Sequence, residues 1–243
     1  DAITTTATAR ELLASAYNSL PRYQMELSVL SDDFVPTNHA GKYAELLNLY
    51  NWQEKAIDDL SDNIWNEYYM TVAIVNALLP RMENIKPKDE ADRLEMENIR
   101  SEAKALKAMC YFDLLRLYGP VYSAANLSKD GIILKHRLEL DFLPRSSVKD
   151  CADEIEKLLT DASKADNSDA EVFYLSTPAV KALLAEFELY RGNYDEAVSY
   201  GLPLLAGAEI IKDSPGTVVF CRDGLCQALQ QIHRRDHALG PGQ

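Results

Sequence analysis

Glycine is scarce, ten residues in 243, and few segments escape a helical period. Bases are also few. Lys plus Arg number 25 against 38 Asp plus Glu, which leaves a net charge of −13. That sign repels phosphate backbones, so general nucleic-acid binding is not expected. It equally disfavours docking on anionic lipid through a basic face. No long hydrophobic run exists; the longest, 71–79, is too short to span a bilayer. The four cysteines do not make a disulfide-dense scaffold, and they leave the compartment open. Gly-x-Ser-x-Gly, a Gly-x-x-x-x-Gly-Lys phosphate loop and His-Glu-x-x-His are all missing. The chain opens at Asp1 without Met, a basic leader or an apolar leader, so a targeting segment is expected to have been removed or never to have existed. What remains is an apolar content of 47%, ample for a core at this length. Composition fixes no function.

The positive signal is helical periodicity. Residues 6–20 carry Ala9, Leu12, Leu13, Ala16 and Tyr17 at i, i+3, i+4 spacing, closed by Pro21. Residues 23–30 predict a shorter helix and 44–49 a turn of one, with a loop over 31–41 between them. A strong helix is predicted over 61–84, bent or interrupted near Pro80, with Trp65, Tyr68, Tyr69, Val72, Val75 and Leu79 as its stripe. The next, 89–118, is apolar nearly all round after Ala108, which places it centrally; Gly119-Pro120 stops it. Residues 121–142 lack helical period, and 132–134 and 138–142 could be short extended pieces. A Ser at the start caps a helix over 148–165. Thr177-Pro178 reads as a capping hydroxyl followed by a first-turn proline. The helix it opens runs to Arg191, and Gly192 suits the left-handed position beyond. A second helix, 195–205, follows so closely that the two must be antiparallel neighbours. Ala182, Ala185 and Ala197 allow close approach, as in a tetratricopeptide-type unit, which cannot bury its own face and needs stacking partners.

Residues 213–243 break from this pattern. Three acids and three bases cancel there, so the whole −13 lies in 1–212. The division expected is therefore a helical domain over 1–212 and an atypical tail over 213–243. The tail holds Cys221-x4-Cys226-x6-His233-x3-His237, which are zinc-type ligands. Only six residues separate its halves, where a two-Cys, two-His finger wants about twelve. No metal is expected there.

Trp65, Tyr68, Tyr69 and Asn76 share a helix face. They could stack on a sugar, but aromatics at helical spacing are normally core, with Asn76 then satisfied by neighbouring backbone. Asp32, Asp33, Asn38, Tyr50, Asn51 and Trp52 lie in or beside irregular segments, where binding residues concentrate. Trp52 offers a rigid face, and Asp33 and Asn51 offer acceptors and donors for hydroxyls; packing of Trp52 on the scaffold is the competing reading. Paired carboxylates such as Asp58-Asp59 could suggest glycoside hydrolysis, but so acidic a chain produces such pairs on any solvated surface. His39 and His136 are isolated.

Three stretches together resemble the RagB/SusD family of surface-exposed, nutrient-capturing outer-membrane lipoproteins. The first is Trp65-x-x-Tyr68-Tyr69-x4-Ile74-x-Asn76-x-Leu78-Leu79. The second is Glu102-Ala103-x-x-Leu106-Lys107-Ala108-x-x-Tyr111-Phe112-x-Leu114-Leu115-x-x-Tyr118-Gly119-Pro120-Val121, where the family often has Arg in place of Lys107. The third is Pro144-Arg145-Ser146-Ser147-Val148, followed by an acidic amphipathic helix and the closing helix pair. The resemblance covers about residues 6–205. It implies an all-α fold of packed antiparallel helix pairs, the tetratricopeptide-like scaffold that forms the N-terminal part of SusD-type proteins. Family members are generally much longer, and their C-terminal region, which supplies many ligand contacts, has no counterpart here. From this half of the chain, family ligand contacts come from loops before the Trp65 helix, which points to Asp33, Asn51 and Trp52 as ligand-binding residues.

The resemblance implies non-catalytic binding of an oligosaccharide or polysaccharide at the cell surface, for delivery to a TonB-dependent transporter of the SusC type. A lipid anchor outside this chain would hold the protein at the outer membrane, and no cofactor is implied. The alternative is a helical protein-interaction module that docks on the transporter or a peptide and has no glycan site of its own. A glycoside hydrolase is the third and weakest reading.

Overall fold

The computed structural model describes residues 3–31, 33–39, 43–139, 142–168 and 173–205, and the backbone of 209–214 and 217–221. Eight helices occur in chain order among these residues: α1 (Thr6–Asn18), α2 (Gln24–Leu30), α3 (Tyr43–Tyr50), α4 (Glu54–Met82), α5 (Glu90–Tyr118), α6 (Val148–Ala162), α7 (Thr177–Arg191) and α8 (Tyr194–Leu205). The fold is the expected all-α array. After α8, β1 (Glu209–Ser214) and β2 (Thr217–Cys221) pair antiparallel, with Ile210 opposite Phe220. This pairing crosses residue 212, where the charge pattern changes.

Helix α5 is the centre, packed against α1, α4, α6 and α7. The sequence reason is visible turn by turn. Asp89 caps it, accepting from Asp92 N at 2.8 Å, and acids fill its first turn where the helix dipole favours them. Past Ser101 the buried residues run almost without a gap, including Ala105, Leu106, Ala108, Cys110, Tyr111, Phe112, Leu114 and Leu115. Each large apolar side chain there contributes about 1.5–3 kcal/mol. Gly119 ends the helix as expected. A Cβ at that position would lie 2.7 Å from the Leu115 carbonyl oxygen, so nothing larger fits.

Three apolar clusters hold the array. One joins α5, α6 and α7 through Phe112, Ile155, Leu159, Val180 and Phe187. A second joins α1, α4 and α5 through Leu13, Val75, Leu78, Met82, Ile99 and Leu106. The third, Val29, Leu46, Leu49, Leu60 and Ile64, ties α2 and α3 to the start of α4. Cys110 and Cys151 are free and buried, as small apolar residues would be.

Several sequence expectations need correction. Helix α4 starts at Glu54, seven residues before the expected 61, and Pro80 does not interrupt it. Proline costs one intrahelical bond there, but the helix ends two residues later, so little is lost. The cap of α7 is Ser176, accepting from Ala179 N at 3.3 Å, not Thr177. The Thr177 hydroxyl instead donates to Ala165 O at 2.7 Å and accepts from Asn167 N at 3.0 Å, tying the preceding loop to the helix. Gly192 does take the left-handed conformation, φ 81°. Helices α7 and α8 approach closely at Ala185 and Gly201, where an added Cβ would sit 3.6 Å from the alanine methyl. The outer side of α8 is bare: Tyr194, Val198, Leu202 and Leu205 are all exposed.

Candidate functional site

The loop-borne candidates are placed by the ends of α2 and α3. Leu46 and Leu49 turn inward to Val29, Leu60 and Ile64, which fixes α3 against α4. Its C-terminus closes in a Schellman motif: Trp52 N donates to Leu49 O and Gln53 N to Asn48 O, both at 2.9 Å. The motif demands a left-handed residue at its fifth position, usually glycine. At the end of α7 the same two bonds occur, Gly192 N to Leu189 O at 3.1 Å and Asn193 N to Glu188 O at 2.9 Å, and glycine fills the position. At the end of α3 the position is filled by Trp52, with φ 52°. A left-handed L-residue costs about 1–2 kcal/mol, and a bulky one there is an outlier. The ring is not taken into the core to offset this; Trp52 is 61% exposed.

Asn51 is exposed beside it, and the structure joins these two candidates in one turn. Asp33 stands apart, past the end of α2. Its backbone N donates to Ser28 O, and its carboxylate accepts from the Ser31 hydroxyl at 2.8 Å. Among the described residues no hydrogen bond or ion pair links it to Asn51 or Trp52. Asn38 is exposed in the loop, while Tyr50 packs against the third cluster and belongs to the scaffold. Asp32 lies outside the described residues, as do Cys226, His233 and His237 of the zinc-type pattern and the side chain of Cys221.

Sequence reasoning missed two neighbours, Asn48 and Gln53. Both are exposed in the same turn. Among the described residues, no hydrogen bond from the side-chain amides of Asn48, Asn51 or Gln53 is found. The available signal was the run of amides flanking a tryptophan, Asn48-x-x-Asn51-Trp52-Gln53.

The aromatic face of α4 is scaffold. Trp65 packs on Tyr69 and Tyr118, each at 4.9 Å between ring centroids, and the Arg145 guanidinium lies 5.0 Å over it. Tyr69 and Tyr111 grip the extended segment that follows Gly131. The Tyr69 hydroxyl donates to Ile133 O at 2.7 Å and accepts from Ile133 N at 2.9 Å. The Tyr111 hydroxyl does the same with Lys135, at 2.7 and 2.8 Å. Asn76 donates to Lys135 O at 2.9 Å, the backbone partner expected of it, and accepts from the Lys107 ammonium at 2.7 Å. Burial holds the Lys107 amine down, to about 8, against the pull of Glu154.

A second buried charge, Glu102, lies in the middle of α5. Glu102, 1% exposed, accepts two bonds from Arg10 at 2.8 and 2.9 Å, one from Tyr17 at 3.0 Å and one from Asn167 at 3.2 Å. Burial pushes its carboxyl up from the ordinary value, and these donors pull the other way. The carboxylate is fully occupied and joins α1, α5 and the loop before α7. A shallow, open hollow on the outer face of α6, lined by Asp153, Glu156, Lys157 and Thr160, encloses nothing. Among the described residues no group of His, Cys, Asp and Glu is arranged to hold a metal ion, and no helix is long and apolar enough to cross a membrane.

A SusD-like family model, described as starch-binding associating with outer membrane, matches residues 1–189. No curated protein matches the sequence. Similar crystal structures include a SusD superfamily protein from Bacteroides vulgatus, at 18% identity and a TM-score of 0.67 over 84% of this chain and 47% of that one. Another is a SusD superfamily protein from Bacteroides thetaiotaomicron, at 18% identity and 0.63 over 83% and 46%. A laminarin-binding SusD-like protein matches at 20% identity and 0.61 over 81% and 42%. The chain spans about half the length of these structures, and at such identities the likeness is one of fold.

Proposed function

The chain belongs to the SusD-like family, and on that premise we propose that it captures a nutrient glycan at the cell surface without transforming it. One observation carries the reading: Trp52 holds a left-handed backbone that glycine holds elsewhere in the molecule, and its ring faces solvent. Strain kept at an exposed aromatic points outward, to a ligand. The indole face would stack on the C–H face of a pyranose, with Asn51 bonding its hydroxyls. Asp33, outside this turn, would meet a longer ligand further along. Single sugar contacts are weak, so several such subsites would act together. Delivery to a TonB-dependent transporter of the SusC type, and a lipid anchor at the outer membrane, complete the proposal.

The test is affinity electrophoresis of the full chain through gels holding starch, laminarin and other glycans. Retardation by at least one glycan, lost in Trp52→Ala with melting changed only slightly, is the expected result. Retardation identical in Trp52→Ala would remove the turn from the site. Release of reducing ends by the purified chain would replace capture with hydrolysis.

The bare apolar side of α8 favours a second reading, a helical module that docks on protein. Silence across the glycan panel with retained pull-down of the transporter would select it.

A further inference from the structure

Helix α8 has two apolar sides and packs only one of them. Gly201 faces α7, where an added Cβ would sit 3.6 Å from the Ala185 methyl. Ala197, Tyr200 and Leu204 lie at helical spacing from it, all half-buried. About a quarter turn round the helix runs a second stripe at i, i+4, i+8 and i+11: Tyr194, Val198, Leu202 and Leu205. These four are between 47% and 66% exposed, and no residue of α8 is buried. Leu189, one turn beyond Ala185 on α7, continues the bare surface. The five side chains expose about 500 Å², as large as the largest apolar patch a monomer ordinarily keeps. A stacked array of helix pairs stays soluble when its terminal pair turns a polar side outward. Among the described residues, the outward side of the α7–α8 pair is apolar.

The stripe complements itself. Laid antiparallel on a second copy about a two-fold axis near Tyr200, Tyr194 meets Leu205 of the second copy and Val198 meets its Leu202, and symmetry repeats both contacts. Two such faces bury about 1,000 Å² together, the lower bound for a specific interface and the range of reversible ones. Charge selects the orientation. Lys181 lies one turn before Ala185, so it is level with Leu205 in the antiparallel α7–α8 pair. Antiparallel pairing brings it beside Asp195 and Glu196 of the second copy. Parallel pairing sets those acids against their own counterparts. No ion pair of Lys181, Asp195 or Glu196 is found among the described residues. The net charge of −13 opposes association only weakly, since charges farther apart than about 8 Å are largely screened at physiological salt.

We infer that a second copy of this chain covers the bare side of the α7–α8 pair, in a reversible two-fold dimer with α8 antiparallel to its counterpart and Lys181 of each copy facing the acids of the other. No residue of the α3–α4 turn takes part, so the dimer and glycan capture stand or fall separately.

Sedimentation velocity of the full chain at physiological salt, from about 1 to about 200 μM, separates the outcomes. The expected result is a monomer that becomes a dimer within that range. Leu202→Asp puts an unpaired charge at the centre of the interface and should weaken self-association at least about tenfold, with melting of the dilute protein unchanged because the position is exposed. Lys181→Glu should weaken it severalfold, and Lys181→Glu with Asp195→Lys should restore it, a rescue that damage to the fold does not produce. A monomer at every concentration would overturn the dimer; lowered melting of that monomer in Leu202→Asp would then place a segment of the same chain on the face. A dimer untouched by Leu202→Asp would lie on another surface and overturn the assignment. Loss in Leu202→Asp with no response to Lys181→Glu would overturn the antiparallel orientation.

Discussion

Replacing Trp52 by glycine and by alanine isolates the cost of its backbone. Both variants lose the indole and whatever packing its less exposed part makes, so that loss cancels in the comparison. What differs is the fit to φ 52°. Alanine carries a Cβ and keeps a left-handed penalty of about 1–2 kcal/mol. Glycine removes it but gains about 0.4–1 kcal/mol of unfolded-state freedom. The difference leaves Trp52→Gly more stable than Trp52→Ala by about 1 kcal/mol, the reverse of the usual order. Gly192 supplies the control. An added Cβ there meets nothing within 4 Å, so Gly192→Ala isolates the conformational term, and it should destabilise by a similar amount. Urea unfolding with unchanged m-values would read both, and in a chain of this size about 1 kcal/mol shifts Tm by roughly 2–4 °C. If Trp52→Ala proves as stable as Trp52→Gly while Gly192→Ala is destabilised, the α3 turn does not hold the left-handed geometry, and the case for strain aimed at a ligand falls with it.

Two other buried groups give further predictions. Lys107 has its amine held at about 8 in the folded chain against an ordinary 10.5, so below pH 8 both states are protonated and folding carries the full cost of burying the charge. As pH rises from 8 the unfolded chain binds more protons at this group, so Lys107 should add about 2 kcal/mol by pH 9.5. The thiols of Cys110 and Cys151, held up by burial, act the other way over the same window. The contribution is therefore read as the difference in denaturant midpoint between the parent chain and Lys107→Met, and a difference that stays constant across the window would refute it. Arg10→Ala strips the main partner from Glu102 and should cost about 3–5 kcal/mol, with Arg10→Ala plus Glu102→Gln recovering part of it in thermal melts. No recovery in the double variant would mean that Arg10 acts by packing and not by charge.

How far the sequence could be read depended on whether local chemistry or tertiary packing set each boundary. Helix α5 was legible to within a residue because an Asp cap, an apolar run and Gly119-Pro120 all state its limits. The start of α4 was not. Residues 54–60 point only Ala56, Ile57 and Leu60 inward, and Gln53 makes no side-chain cap bond, so neither period nor punctuation announces the first two turns. Packing of Leu60 against Leu46 and Leu49 decides them. The cap of α7 moved by one residue because Ser176 and Thr177 are both competent, and Thr177 was claimed by the loop before it. At the site, Trp52 and Asn51 were legible as residues of an irregular segment. The left-handed turn was hidden, since no glycine marks it.

The same turn shows why scaffold and site can be told apart on physical grounds. Trp65, Tyr69 and Tyr111 offset the entropy of their ordering through ring contacts and through hydrogen bonds to the 133–135 backbone. Replacing either tyrosine strands backbone groups of Ile133 or Lys135. Trp52 strands nothing. Its backbone bonds are made by N–H groups that any non-proline residue supplies, and the burial that locks the turn belongs to Leu46, Leu49 and Leu60 on either side. Glycine would close α3 more cheaply, as it closes α7. A large exposed ring at the one position of the turn where every side chain is penalised therefore adds little that folding requires, and that imbalance is what the capture proposal rests on.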